Sequence, residues 1–187
     1  ECEKNPQKAY LFNVRIVENL ARWIQENNKC YLVQISTDQI YDGQGPHKET
    51  DVIVSNCYVF SKYAGELAAA RVASTILRTN FFGPSQCSRR TSLSDWLIQS
   101  LLKGDAINVF EDVRFSPLSL QQLVRLLEIV VVKRQPGIYN LGSKDGMSKA
   151  DFAFSLAKSL NLPTESMKRG ASDKLKLTAY RPKDMCM

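Results

Sequence analysis

Between residues 30 and 78 the sequence changes its period twice, and this constrains the fold more than any other feature. Cys30 to Ile35 is a short apolar run with the length of a buried strand. An Ala-rich stretch from Ser55 or Asn56 to about Val72 is long enough for a helix, and Thr75 to Arg78 is a second short run. Strand, helix, strand is the rhythm of a parallel sheet covered by helices, since parallel neighbours need a crossover between them. The expected class is α/β.

The flanking segments fit the same rhythm. Asn5 can cap a helix whose first position suits Pro6, and Val17, Leu20, Ala21 and Ile24 give that helix an apolar face up to Asn27-Asn28. Gly83-Pro84 interrupts the pattern. Beyond it, a helix is expected from Ser92 to Lys103, closed by Gly104, and a short strand from Ala106 to Phe110. Ser119 with Gln122 has the spacing of a capping box and opens a helix with Leu123, Leu126, Leu127 and Val130 on one face. Gly137 to Leu141 reads as a strand, and Ser148 with Asp151 opens a last helix through Leu160.

Composition narrows the function classes. With 187 residues, 44% of them hydrophobic, the chain can bury a real core. Its apolar runs, such as Leu126 to Val132, are far short of the roughly 20 residues that a bilayer crossing needs, so no membrane role is expected. Five unclustered cysteines favour a reducing cytoplasm and no thiolate metal site. The single histidine, His47, lies in a Gly/Pro-rich surface loop and makes a poor centre for metal or triad chemistry. The net charge of +6 is dispersed, with Arg89-Arg90 its one tight cluster. That pattern speaks for a small anionic ligand or a solvated basic surface, with no nucleic acid expected.

Two groups of residues can carry chemistry. Tyr58 and Lys62 stand four apart on the expected helix, so both can reach one site. An ammonium beside a phenol favours phenolate and brings a pKa of about 10 toward working pH. Ser36-Thr37-Asp38 sits at the C-terminal end of the preceding strand, where ligands of open α/β sheets collect. Each group also has a plainer reading, an exposed helix pair for the first and a turn or cap for the second.

Several ordered blocks together resemble the signature of dTDP-4-dehydrorhamnose reductases and their sugar-nucleotide-modifying relatives, extended short-chain dehydrogenases/reductases. They are Ile35 to Gly43 (ISTDQIYDG), Glu49-Thr50-Asp51, Tyr58 to Glu66 (YVFSKYAGE), Leu77 to Gly83 (LRTNFFG), Phe115-Ser116-Pro117, Gly137 to Asn140 and Arg181-Pro182. The resemblance implies an NAD(P)-binding Rossmann-type parallel sheet with helices on both faces, plus a smaller C-terminal substrate-binding portion. Residues 1–84 would be the second half of the dinucleotide-binding domain. Residues 85–187 would contribute mainly the substrate-binding part, with the chain free to cross back to the sheet.

It further implies Thr37, Tyr58 and Lys62 as the catalytic set, with NADPH or NADH supplying hydride. Ser36, Tyr58, Lys62, Asn80 and Phe81 would meet the cofactor. Thr37, Asp38, Asn80, Phe81 and Arg114 would meet a nucleotide-diphosphate sugar, with Asn13 in support. Asn80-Phe81 stands where many dehydrorhamnose reductases carry Ser-Trp, which leaves the sugar open. Some relatives dimerise, so a homodimer is one state open to the chain.

No G-x-x-G-x-x-G turn is present, and Glu1 to Pro6 matches an interior segment of relatives, so the first half of the Rossmann sheet is expected to be missing from the chain. Residues 1–187 alone are expected to have little cofactor affinity. A nucleotide-sugar epimerase or dehydratase would use the same Tyr and Lys. A regulatory subunit could also keep the fold without catalysis, as the methionine adenosyltransferase beta subunit does.

Overall fold

The structure, a computed structural model, describes residues 1–87, 89–174 and 179–187. The chain opens with helix α1 (Pro6–Tyr10), capped by the Asn5 side chain, which accepts from the Lys8 N–H. One π-helical turn (Leu11–Arg15) leads directly into α2 (Ile16–Asn27), which ends where Asn28 adopts a left-handed conformation. Val17, Ala21 and Ile24 are buried as the periodicity requires, whereas Leu20 is half exposed. Then come β1 (Leu32–Ile35), a 3-10 turn over Asp38–Ile40, α3 (Cys57–Ala69) and the long β2 (Ser74–Phe82).

After β2 the chain forms α4 (Leu93–Lys103), β3 (Ile107–Phe110), β4 (Arg114–Phe115) and β5 (Pro117–Ser119). These are followed by α5 (Leu120–Lys133), β6 (Gly137–Leu141), β7 (Met147–Ser148), α6 (Lys149–Ser159), β8 (Met167–Gly170) and β9 (Asp184–Met185). The capping boxes at Ser92 and Ser119 are both formed, and Gly104 takes the left-handed conformation that closes α4.

The main sheet is parallel, with β2 as its spine. β1 pairs along one side of β2, from Leu32 opposite Ser74 to Ile35 opposite Leu77. β6 lies on the other side, from Thr75 opposite Gly137 to Thr79 opposite Leu141. β5 takes over where β2 runs on past Thr79, with Asn80 opposite Pro117. Residues beyond 84 therefore do return to the first sheet. Among the described residues β1 pairs with β2 alone, so it is half-buried where its apolar run suggested full burial.

The rest forms smaller layers. β3 pairs with β8 in parallel, and β4 holds β7 and β9 on its two sides. These strands and α4 and α6 enclose the largest apolar cluster, which includes Leu97, Leu101, Val109, Phe115, Phe152 and Met167. Edge-to-face contacts of Phe152 with Phe82 and Phe115 join that cluster to the end of β2.

His47 is buried, not a surface-loop residue. Its ring stacks on Tyr41 with centroids 5.1 Å apart, and its Nε2 lies 2.9 Å from the Asp184 carbonyl oxygen. No helix among the described residues is long and apolar enough to cross a membrane.

Two buried features hold α3 in place. Glu66 on α3 and Arg78 on β2 are both fully buried and meet at 2.7 Å, with Arg78 Nε also donating to both carboxylate oxygens at 3.2 Å. Arg78 Nη1 donates to the Tyr41 hydroxyl and to the Glu49 carbonyl, and Ser36 Oγ donates to Glu66 Oε1. Gly65, one residue earlier, lets the Asn13 backbone approach so closely that a Cβ there would lie 2.3 Å from its carbonyl oxygen.

Arg78→Met leaves the Glu66 carboxylate buried without its counter-ion and is expected to cost about 3–5 kcal/mol in urea unfolding; a loss below about 1 kcal/mol would contradict this role. Gly65→Ala must push α3 away from the π-helical turn and is expected to cost about 1–3 kcal/mol in the same assay, the usual cost of overpacking.

Candidate active site

Tyr58 lies in the first turn of α3, whose N-terminus is closed by Asn56 accepting from the Val59 N–H at 2.8 Å. The Asn56 amide in turn donates to the Tyr180 carbonyl, tying this end of α3 to the C-terminal segment. Between them opens a cleft of about 400 Å³ lined by Gln39, Asn56, Tyr58, Asn80, Lys149 and Arg181, among others. It sits outside the C-terminal end of β1, the position expected of a ligand site in a parallel sheet.

Thr37 follows the end of β1 and is buried beside Tyr58, behind the cleft lining. Its side chain accepts from the Gln39 N–H at 3.2 Å, the cap role. Asp38 is fully buried behind Asn80, whose Nδ2 donates to Asp38 Oδ2 at 2.8 Å, while Oδ1 has no hydrogen-bond partner among the described residues. Burial raises the Asp38 carboxyl to about 6, against the Asn80 hydrogen bond and the charge of Lys149.

Asn13 supports the site through one intermediary. Its amide donates to Ser61 Oγ at 2.9 Å, and Ser61 Oγ donates to the Tyr58 carbonyl at 2.9 Å. Among the site candidates, then, Thr37, Asp38, Tyr58, Asn80 and Asn13 are brought together.

Lys62 sits one turn below Tyr58 and donates to the Ile35 carbonyl at 2.7 Å. The electrostatic expectation for this pair is not met. Burial raises the Tyr58 pKa above 10, with the Thr37 hydroxyl opposing it and the Asp38 charge adding to it. Lys62 is itself lowered by burial, and the charge acting on it is that of Glu66. In this arrangement Tyr58 is a well-protonated phenol.

Three other candidates lie elsewhere. The Ser36 hydroxyl is turned into the buried Glu66–Arg78 network, because a hydroxyl at the base of β1 satisfies a carboxylate oxygen that water cannot reach. Phe81 is half exposed and lines neither the first cleft nor a second, larger one lined by the paired strands β3 and β8 and by α4 and α6. Arg114 on β4 faces Asp184 at 4.0 Å and also lines neither cleft. The alternation of a two-residue strand carries its side chain away from the opening.

Among the lining residues not singled out as ligand-contacting are two cations, Lys149 and Arg181. Arg181 stood in a recognised block; the Ser148 cap puts Lys149 at the first residue of α6, but no local signal puts that helix end at the cleft. Among the described residues no group of three or more His, Cys, Asp or Glu side chains could hold a metal ion.

The family described as RmlD substrate binding domain matches residues 1–187. A solved structure of a hypothetical dTDP-4-dehydrorhamnose reductase from Sulfolobus tokodaii is 29% identical, with a TM-score of 0.85 over 98% of this chain and 64% of its own. The Bacillus anthracis dTDP-4-dehydrorhamnose reductase, solved with NADP, shares the fold at a TM-score of 0.88 and 24% identity, over 98% of this chain and 66% of its own. Methionine adenosyltransferase 2 subunit beta of Xenopus laevis is 25% identical over 189 residues, 89% of this chain and 52% of that protein. The chain thus spans about half the length of this curated relative and somewhat under two thirds of the Sulfolobus structure.

The raised carboxyl of Asp38 carries a stability signature. Its proton is held more tightly in the folded than in the unfolded chain, so the stability it contributes is present below about pH 4 and is lost as pH rises through 6. Asp38→Asn is expected to remove about 2 kcal/mol of the fall in unfolding free energy between pH 4 and pH 7; identical pH profiles for both proteins would contradict it.

Proposed function

We propose that this chain, which belongs to the RmlD substrate binding domain family, serves an NAD(P)H-dependent reductase acting on the C4 ketone of a nucleotide-linked 4-keto-6-deoxy sugar. The observation that carries the reading is the cleft itself. A protonated phenol, Tyr58, and an amide, Asn80, open into it at the end of a parallel strand, with the Thr37 hydroxyl beside the phenol.

Residues 1–84 contribute the cofactor side and residues 85–187 mainly the substrate side, with β5 and β6 returning to the sheet. Lys62 and Tyr58 fit the nicotinamide ribose, since the Lys62 ammonium uses one N–H on Ile35 and keeps two for ribose hydroxyls. A Gly-rich turn to cradle the pyrophosphate is not in this sequence. Bound there, a nicotinamide cofactor supplies the hydride. The fold likeness to reductases and dehydratases solved with NADP or NAD supports that choice of cofactor.

The chain's own residues supply the proton and the positioning. Reduction of a ketone places negative charge on its oxygen, and a phenol held above its ordinary pKa is in the form that can give that oxygen a proton. The Lys62 ammonium one turn below would stabilise the phenolate left behind. Thr37 orients the carbonyl oxygen, and Asn80, fixed by Asp38, presents its amide to the sugar.

A second reading is a regulatory subunit that keeps the fold without turnover, and the likeness to the methionine adenosyltransferase subunit favours it. A nucleotide-sugar epimerase or dehydratase remains a third use of the same pair.

NAD(P)H oxidation by the complete gene product with dTDP-4-keto-6-deoxyglucose and a 3,5-epimerase is expected to fall about 10²–10⁴-fold in Tyr58→Phe, the usual loss with a general acid. Equal rates in both proteins would overturn the role of Tyr58. Cofactor binding without turnover would favour the regulatory reading.

A further inference from the structure

The tight cationic cluster Arg89-Arg90 is absent from the lining of both clefts. It stands in the segment between β2 and α4, where residues 84–87 and 89–91 are exposed and outside any helix or strand. Arg90 reaches Glu1 at 3.9 Å with both side chains largely in solvent, the geometry of a weak surface contact. Two tandem guanidinium groups are therefore free to meet a partner, and their planar forks match carboxylates.

The residues that follow them say which partner fits. Ser92 has arginine three and two positions before it and the exposed apolar Leu93 directly after it. Protein kinases choose among hydroxyls by charge patterns of this kind, with cations at fixed offsets setting the register of the target. Of the neighbouring hydroxyls, Ser94 is buried and donates to the Gly83 carbonyl at 3.0 Å, and Thr91 stands one position closer to the arginines. Ser92 is half-buried as the N-cap of α4, where its Oγ accepts from the Asp95 N–H at 3.0 Å. Its backbone is already extended, with φ −72° and ψ 165°, so only the first turn of α4 has to open for the hydroxyl to enter a kinase groove.

We propose that Ser92 is a phosphorylation site, recognised through Arg89 and Arg90 by a serine/threonine kinase that carries carboxylates in its substrate groove. In the transfer Ser92 Oγ forms a bond to the γ-phosphorus of ATP and the bond from that phosphorus to the β–γ bridging oxygen breaks. ADP leaves, and the hydroxyl proton passes to the catalytic aspartate of the kinase.

The fold can hold the product. A phosphate at the N-cap faces the unpaired N–H groups of the first turn of an 11-residue helix, with Arg89 and Arg90 two and three residues away. The Asp95 carboxylate opposes it. Its contact with the Ser85 N–H, at 2.8 Å, is closer than its contact with the Ser92 N–H, at 3.4 Å, which holds that carboxylate toward the loop. Leu93, Trp96 and Leu97, in the first two turns of α4, line the larger cleft, so the modification acts on one wall of it.

The test is incubation of the complete gene product with ATP and the catalytic subunit of cyclic-AMP-dependent protein kinase, a probe that selects arginine at these two offsets, followed by mass mapping. One phosphoryl group is expected, on Ser92. Replacing both arginines (Arg89→Ala with Arg90→Ala) should lower kcat/KM for the transfer at least about tenfold, the loss expected with charge-assisted contacts. Both side chains are exposed, so the fold is kept. Ser92→Asn retains a capping side chain and should take no phosphate. Phosphate on Thr91 or Ser94 instead, incorporation that persists in Ser92→Asn, a rate unchanged without the arginines, or no incorporation at all would each overturn the inference. The reductase reading stands or falls separately, on Tyr58→Phe.

Discussion

The buried pair of Glu66 and Arg78 is the contact on which the arrangement of the site depends. Two full charges are taken out of water, which is tolerable only where the geometry is close and the remaining donors are satisfied. Here they are. Arg78 reaches both oxygens of Glu66, the Tyr41 hydroxyl and the Glu49 carbonyl, and Ser36 completes the shell of Glu66. One interaction thus joins α3, the central strand β2, the end of β1 and the loop that follows it. Tyr58 and Lys62 lie on the same helix as Glu66, two turns and one turn before it respectively, so fixing Glu66 fixes where they stand.

The surroundings of that pair explain the electrostatics of the cleft. The same exclusion of water that makes the ion pair costly also raises Asp38 and Tyr58 and lowers Lys62 and Lys149. Every shift favours the neutral form of its group. The cleft therefore holds protons on its acids and gives them up readily from its bases.

The later half of the chain builds a second wall from short pieces. β4, β7 and β9 are two-residue strands, yet the Phe115, Phe152 and Met185 side chains around them belong to the largest apolar cluster. The C-terminal segment is tied back by Asp42, which accepts from the Tyr180 hydroxyl at 2.6 Å and from the Lys183 N–H at 2.9 Å. Those contacts bring Arg181 to the lining of the Tyr58 cleft. The lining of the Tyr58 cleft thus brings together residues far apart in sequence, from Gln39 to Arg181.

Local chemistry determined a large part of this protein from the sequence alone. Asn5, Asn56, Ser92, Ser119 and Ser148 cap helices because short polar side chains satisfy N–H groups within three residues of themselves. Gly137 to Leu141 was legible as a strand by composition, and Tyr58 and Lys62 as one helix face by spacing. What the tertiary structure alone decided are the features that require distant partners. The strands of two residues have no period to read. Leu20 remains half exposed although its spacing is that of a core position, and His47 is buried although its neighbours look like loop. The Tyr58 pKa rises instead of falling, because burial dominates and the Lys62 ammonium is held by a backbone carbonyl. Lys149, whose place at the start of α6 follows from the Ser148 cap, lines the Tyr58 cleft because packing puts that helix end at its edge, while Arg114 is turned toward Asp184 by the pleat of β4. Spacing of a few residues carries local geometry; where the chain meets itself again is set by packing over the whole fold.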